Sequence, residues 1–381
     1  MNLTRRFTQA VLSMCLAAVG LFAFAGSANA AGETATIGLK MDPLKGGLFK
    51  EAFKPVNWQV ETKINVPDGA ATIEPMKESN LSLPGGSLTF NPDPSMPVCP
   101  DDKVNATTVS VPVETIIAAC PNSVIGNGTA IFALAQQTSL PRDGVMIVFN
   151  GGLQKSGPLK GQPRIMVYAY SYDTEVGVYT EATLAKDGSL DFPIPVLTAD
   201  SSVTSLNLAI PGVPTTVDFP AKGITANLPA GQDPNYAQAK CPTGSWDYAA
   251  EFVLGDRPEG LPPGPTTTLN ETSVQPCTGA AGKAKFAGVK VKGPSKAKRG
   301  KKTTYKVKIE NNGTATAKKV KLKVTGKGVS GKASGGNIAP GKSKTIKVKV
   351  KFKKKGKIKT TFKATAAKTK AKAGKKKIKV K

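Results

Sequence analysis

The last hundred residues alternate lysine with apolar residues, and this pattern constrains the fold more than any other feature of the chain. A period of two places successive side chains on opposite faces of a β-strand, so each segment has one face to bury and one to solvate. Such segments lie at 289–291, 305–309, 320–324, 346–352, 358–364 and 378–380. About six or seven strands in about a hundred residues predict an immunoglobulin-like β-sandwich.

The charge of the chain divides near residue 280. Residues 31–280 hold 15 Lys and Arg against 25 Asp and Glu, whereas residues 281–381 hold 36 Lys and Arg against one carboxylate, Glu310. The corresponding net charges are −10 and +35, and solubility of a small domain requires only about 2 to 8. Outward lysines on one strand are about 7 Å apart, within a Debye length of about 8 Å, so they repel one another and attract anions.

We therefore predict that the outward lysines bind a polyanion. The assigned residues are Lys306, Lys308, Lys321, Lys323, Lys347, Lys349, Lys351 and Lys353. Lysine is a point charge, which favours diffuse adsorption over geometric recognition. The expected partner is an anionic cell-envelope polymer or acidic polysaccharide, or else an anionic membrane surface. Extracellular nucleic acid is less favoured because Tyr305, Phe352 and Phe362 are in phase with the buried faces and offer no stacking platform.

The first thirty residues have the parts of a secretory signal peptide. Arg5 and Arg6 form a basic start, residues 10–25 are almost wholly apolar, and Ala28-Asn29-Ala30 is a small-residue cleavage site. We expect cleavage after Ala30 and a location outside the cell or in its envelope. The apolar run is too short for a transmembrane span. Weaker alternatives are a twin-arginine signal at residues 4–7 and a lipoprotein box at residues 12–15.

Removal of this signal leaves four cysteines, an even number that suits an oxidising compartment. They are Cys99, Cys120, Cys241 and Cys277. Of three possible pairings we favour Cys99 with Cys120 and Cys241 with Cys277, because each closes a local loop; the second loop contains a proline-rich segment at 255–265. A zinc site is disfavoured because the chain has no C-x-x-C and no histidine. No metal or other cofactor is expected.

Residues 31–277 alternate short β-branched or aromatic runs with Pro, Gly, Asn and Asp. The predicted strands include 58–66, 87–90, 106–113, 129–135, 145–149, 164–172 and 205–210. This spacing predicts an all-β sandwich or a pair of sandwiches, with little helix. The predicted division of the chain is a signal peptide at 1–30, an all-β disulfide-bearing domain at 31–277, a linker at 278–284 and a lysine-rich immunoglobulin-like domain at 285–381.

Catalysis is not expected. The absence of histidine excludes Ser-His-Asp and Cys-His mechanisms, which need a base that titrates near neutral pH. A glycosidase needs only two carboxylates across a cleft, so a secreted carbohydrate-active enzyme that uses two of Asp173, Glu175, Asp247 and Glu251 is the alternative. In that case the basic domain would target the enzyme to the cell wall.

Two other motifs have structural interpretations. Residues 336–343 match the phosphate-loop expression G-x-x-x-x-G-K-[ST], but a strand is expected after Ser343 where a phosphate loop requires a helix. We therefore predict a turn between strands. Trp58 and Trp246 could stack on sugars, but a tryptophan beside a disulfide is more often in the core, where we place both.

Two segments that lead into predicted strands carry a family resemblance. They are Asn-Gly-Thr-Ala-Thr-Ala at 312–317 and Ile-Ala-Pro-Gly-Lys-Ser at 338–343, and they resemble CARDB and related immunoglobulin-like repeats of bacterial surface proteins. The resemblance implies an adhesion-related or spacer role, although the lysine density departs from ordinary members. The N-terminal region, at 97–100, 120–130 and 241–246, resembles uncharacterised secreted proteins of actinobacterial type. Together these features predict an exported, non-enzymatic binding or structural protein.

Overall fold

The computed structural model describes residues 32–90, 95–104, 111–134, 137–194, 201–255 and 266–381. The predicted signal peptide, most of the predicted strand 106–113 and nearly all of the proline-rich segment 255–265 lie outside these residues. The all-β class is confirmed, since strands dominate and the only α-helices among the described residues are two short ones, α1 Asp101–Val104 and α2 Val113–Ala119.

The strands of the N-terminal region are β1 Thr34–Pro43, β2 Leu48–Phe49, β3 Lys54–Asn65, β4 Met76–Ser82, β5 Leu88–Phe90, β6 Val124–Leu134, β7 Pro141–Leu153, β8 Pro163–Ser171, β9 Val176–Thr183, β10 Ser189–Pro193, β11 Ser201–Ile210, β12 Thr215–Phe219, β13 Ile224–Leu228, β14 Ala237–Ala239, β15 Ser245–Gly255, β16 Thr266–Pro276 and β17 Gly279–Ala280. Those of the C-terminal region are β18 Phe286–Lys292, β19 Lys296–Ala297, β20 Lys302–Asn311, β21 Ala317–Gly326, β22 Val329–Ile338, β23 Ser343–Phe352, β24 Gly356–Ala366 and β25 Thr369–Val380.

The N-terminal region has three layers, one of which is a nine-stranded sheet. This sheet runs β5-β14-β3-β11-β6-β7-β8-β9, with β1 paired to β3, and a four-stranded sheet runs β10-β4-β15-β16. Strand β7 is buried on both faces. Met146 and Val148 join the core shared with the four-stranded sheet, whereas Ile147 and Phe149 join a second core covered by α1, α2 and the β12–β13 hairpin. The nine-stranded sheet is therefore the middle layer.

Helix α2 differs from the sequence prediction, which continued a strand to Val113. Pro112 directly precedes the helix, and proline suits a helix start because its missing N–H would be unpaired there. Val113 and Ile116, three residues apart, are its buried side chains and enter the second core. About two helical turns with two buried side chains give too weak a period to be recognised in the sequence.

Two disulfides join the paired cysteines that the spacing favours. Cys99 is bonded to Cys120 with a Cα–Cα distance of 5.5 Å, and Cys241 is bonded to Cys277 at 6.0 Å. The first bond encloses α1 and α2, and the second connects the start of β15 to the end of β16. The first therefore closes the helical segment that precedes β6, and the second joins the ends of two neighbouring strands of the four-stranded sheet.

The C-terminal region is a sandwich in which the strands run β18-β20-β23-β22-β21-β24-β25-β19. Strands β22 and β23 pair only at Val329–Phe352 and Ser330–Lys351, so the sheet folds there into two layers around one core. Strand β22 was not predicted because it is rich in Gly and Ser. The side chain of Ile346 packs against Gly335 of this strand. A Cβ atom added at Gly335 would lie 2.4 Å from the Ile346 Cδ1, so a glycine suits this position.

The turn predicted from residues 336–343 is present at residues 339–342. Strand β22 ends at Ile338 and β23 begins at Ser343, so no helix follows the lysine of the phosphate-loop expression. A phosphate loop cannot form without the helix N-terminus that faces the phosphates. The match is therefore a coincidence of composition.

The segment predicted as a linker contacts both regions. Strand β17 pairs in parallel with β2, and the Lys50 N–H donates to the Ala280 carbonyl at 3.1 Å. On the other side, the Thr314 N–H of the C-terminal region donates to the Lys283 carbonyl at 2.9 Å. The two regions also contact each other directly, since the Thr316 N–H donates to the Glu51 carboxylate at 2.6 Å, and this hydrogen bond lowers the pKa of Glu51. Among the described helices, none combines the length and apolar character that a membrane crossing requires.

Candidate anion-binding surface

The eight lysines assigned from the sequence all lie on the outside of the sandwich. Their neighbours along each strand are buried, as in Tyr305, Val307 and Ile309 beside the exposed Lys306 and Lys308. This arrangement follows from the period of two, since the apolar residues form the core. The outward lysines are thus held on an ordered surface by buried neighbours.

The strand register aligns these lysines into rows, which the sequence alone does not show. Lys306 on β20 is the cross-strand partner of Lys347 on β23 and of Lys292 on β18. We call these three residues the first lysine row. Directly opposed side chains in a sheet have Cβ atoms about 5 Å apart, and like charges there destabilise the pairing. Lysines in the row are therefore closer together than successive outward lysines on one strand.

A second lysine row crosses the other layer. Lys323 on β21 is the partner of Lys332 on β22 and of Lys363 on β24. Two other assigned lysines face threonine instead, since Lys349 faces Thr304 and Lys321 faces Thr365. The eight assigned lysines are therefore divided between two layers.

A depression of about 460 Å³ at one end of the sandwich adds lysines that the sequence reasoning did not assign. It is lined by Ile358 and by five lysines, namely Lys327, Lys354, Lys355, Lys357 and Lys359. Gly328, with φ of +70°, allows the close approach of this wall, because a Cβ there would lie 2.8 Å from the Lys354 Cγ. The run Lys353-Lys354-Lys355 was the available signal, but only the fold brings Lys327 beside it.

Carboxylates are scarce around the C-terminal lysines, although Glu51 of the N-terminal region interacts electrostatically with Lys318. Glu310 is the only carboxylate side chain from 281 to 381, and it is exposed on β20. Within the described part of the chain, no lysine after residue 285 forms an ion pair with a carboxylate within 4.0 Å. Solvent ions or an anionic ligand must therefore compensate this charge.

The four carboxylates of the enzyme alternative lie on two different sheets. Asp173 and Glu175 are in the turn between β8 and β9, where an ion pair of 2.8 Å with Lys222 lowers the pKa of Glu175. Asp247 and Glu251 lie on β15 of the four-stranded sheet, and Glu251 accepts a hydrogen bond of 3.1 Å from the Asn80 side chain. The structure therefore gives each glutamate its own local partner.

Both tryptophans are core residues. Trp58 is fully buried in the nine-stranded sheet, and Trp246 is 3% exposed, with its indole N–H donating to the Lys240 carbonyl at 3.0 Å. Neither ring face is available to stack on a sugar. The prediction of core positions for Trp58 and Trp246 agrees with the structure.

Comparison with known proteins gives a family match in the C-terminal region. Two solved structures align with most of the chain. Red sea bream transglutaminase aligns at 10% identity and a TM-score of 0.23, covering 91% of this chain and 31% of that one. The native conformation of E. coli alpha-2-macroglobulin aligns at 13% identity and a TM-score of 0.21, covering 93% of this chain and 17% of that one. The chain thus spans less than a third of either protein, and TM-scores this low carry no argument. No curated protein matches. Residues 288–371 match the CARDB family model, which confirms the resemblance of the C-terminal region to that family.

Proposed function

We propose that the chain is an exported, non-enzymatic surface protein whose CARDB-matching sandwich holds it to an anionic polymer of the cell envelope or to an acidic polysaccharide. The observation that carries this proposal is the pair of lysine rows, in which like charges lie directly opposite on neighbouring strands without a carboxylate to compensate them. Such an arrangement costs stability in the free protein. A bound polyanion would relieve that cost.

Two further observations support this function. The disulfides Cys99–Cys120 and Cys241–Cys277 suit an oxidising location outside the cytoplasm. The lysines extend over two layers and one end of the sandwich, which suits a polymer that touches many charges at once more than a single small anion. Binding of this kind releases counterions, so its affinity falls steeply with salt.

The test is a salt titration of the full-length secreted chain against four anionic ligands: a phosphate-linked wall polymer, a uronate polysaccharide, vesicles containing anionic lipid, and duplex DNA. The first lysine row is replaced in the variant K292T/K306T/K347T, because threonine already occupies neighbouring outward positions. The matched control is K155T/K160T/K186T, which removes three exposed lysines from the acidic region.

We expect the natural chain to bind at low salt and its association constant K to fall as salt rises. In the row variant, the plot of log K against log salt should be less steep by about 2 to 3. The control variant should keep the slope of the natural chain. Absence of binding to every ligand at low salt, or equal slopes for the two variants, would contradict the proposal. A steep slope for DNA alone would replace the envelope polymer with extracellular nucleic acid.

A further inference from the structure

The short four-stranded sheet leaves part of the nine-stranded sheet uncovered. Two adjoining apolar hollows of about 100 and 50 Å³ lie between them, and both are lined by Met76, Met146, Val167 and Leu206, among others. We call this space the β6–β9 groove, because strands β6 to β9 supply most of its wall. Its lining residues Phe132, Val178, Val203 and Leu206 are only half-buried, so the groove opens to solvent. Apolar surface left open in a groove is typical of a ligand site.

An arginine occupies the core-facing side of β7 at this groove. Arg142 and Met146 are four residues apart on the strand, so they share a face, and both line the groove. The Arg142 side chain is half-buried, and its guanidinium donates to the Pro141 carbonyl at 2.8 Å. No carboxylate among the described residues forms an ion pair with it. A cation facing an apolar groove without an acidic partner indicates an anionic ligand group.

An unpaired hydroxyl lies on the same wall. Ser171 is 3% exposed, lines the groove, and its Oγ has no hydrogen-bond partner among the described residues. The β7–β8 register pairs Val145 with Tyr170, which places Ser171 opposite Gly144. Arg142 is two residues from Gly144 on β7, so its side chain is on the same face of the sheet as Ser171. A buried hydroxyl without a partner costs free energy, which a ligand oxygen would recover.

Gly144 allows an aromatic ring to line this end of the groove. A Cβ at this position would lie 2.3 Å from the Phe132 Cε2, so the ring of Phe132 occupies the space that a side chain would take. Phe132 is also the cross-strand partner of Arg142. Apolar and cationic surface therefore meet at one point of the groove.

We propose that the β6–β9 groove binds a single-chain amphipathic anion, with a hydrocarbon segment in the hollows and a carboxylate head group on Arg142 and Ser171. An enclosed apolar cavity of about 150 Å³ holds a group the size of benzene, so the hollows take only part of a chain and the remainder follows the open groove. Arginine and a hydroxyl donor suit carboxylate oxygens, and they suit phosphate oxygens equally. This inference does not depend on the lysine rows.

The test measures binding of dodecanoate, dodecyl phosphate and 1-dodecanol to the full-length chain by calorimetry. It is performed in about 0.5 M salt, where the Debye length of about 4 to 5 Å weakens adsorption to the lysine surface. We expect both anions to bind more tightly than the alcohol. Arg142→Met should weaken anion binding about tenfold, since it removes the cation and its hydrogen-bond donors. Ser171→Ala should weaken it about threefold, since it removes one neutral donor to a charged group. The affinity for 1-dodecanol should change little in Arg142→Met.

A matched control is Lys155→Met, which removes an exposed cation outside the groove. Thermal unfolding of each variant reports whether it folds, and Arg142→Gln serves if the methionine variant does not. The relative affinities of dodecanoate and dodecyl phosphate distinguish a carboxylate from a phosphate ligand. Absence of binding by all three compounds, or equal weakening of anion and alcohol binding in Arg142→Met, would overturn the proposal. The first-row lysine variant should bind dodecanoate normally, so failure of one proposal is separable from failure of the other.

Discussion

Lys306 and Lys347 are direct cross-strand partners on β20 and β23, and both side chains are exposed. Two ammonium groups in this position repel each other, because opposed side chains in a sheet are neighbours. Lys292 extends the same row to a third strand. The free protein is therefore expected to carry a local electrostatic cost at this position.

Reversing one charge of this row should stabilise the sandwich. Lys306→Glu places a carboxylate between two lysines, and we expect an increase in unfolding free energy of about 0.5 to 1 kcal/mol at low salt. Lys349→Glu, on a strand position that faces Thr304, is the matched control and should give a smaller gain. Chemical denaturation at low and high salt measures both. Equal gains for the two variants would show that register plays no part.

The Tyr305 hydroxyl should lower stability. It is buried in the sandwich core and has no hydrogen-bond partner within the described residues. Tyr305→Phe removes an unsatisfied polar group and should stabilise the chain by about 1 kcal/mol. Tyr248→Phe is the opposite case, since the Tyr248 hydroxyl accepts from the Leu39 N–H at 2.9 Å, and it should destabilise by about 1 kcal/mol. Chemical denaturation of both variants measures whether their unfolding free energies change in opposite directions. A loss of stability in Tyr305→Phe would contradict the prediction for that residue.

Removing the carboxylates that pair with Arg164 should destabilise the chain more than removing the arginine itself. The guanidinium is nearly buried and pairs with Asp101 of α1 and with Glu181 of β9, whereas both carboxylates are substantially exposed. D101N/E181Q leaves a buried cation without a counter-charge and should cost about 3 kcal/mol. Arg164→Met leaves two carboxylates that water can solvate, so its cost should be smaller. Urea denaturation of the variants ranks these costs, and the reverse order would contradict the interpretation.

Glu33 should make the free energy of unfolding vary with pH in the acidic range. Burial raises its pKa, while the hydrogen bond from the Glu74 N–H opposes this shift. Because the folded pKa lies above the unfolded value, the folded state binds more protons between the two, and stability falls as pH rises through that window. Glu33→Gln should therefore be more stable than the natural chain at pH 7 and lose this pH dependence. Thermal unfolding from pH 3 to pH 7 tests it, with Glu61→Gln on the exposed side of β3 as the control.

The sequence predicted most of the fold because its signals are local. The period of two located most strands of the sandwich, and every outward lysine assigned from it is exposed. Helix α2 and strand β22 were missed because one has only two apolar contacts and the other is built from small residues that fit a neighbour's side chain. Their conformations depend on contacts with distant parts of the chain, for which short segments carry no signal.

The charge division, the alternating faces and the cysteines available for pairing can be read from the sequence, since they follow from composition and from strand geometry. The lysines that lie opposite one another are known only from the folded chain, because strand register is set between strands and not within them. Folding alone placed Lys327 beside Lys354, and Arg142 with Ser171 on one apolar wall. Both candidate sites combine residues from separate strands, so packing had to bring them together.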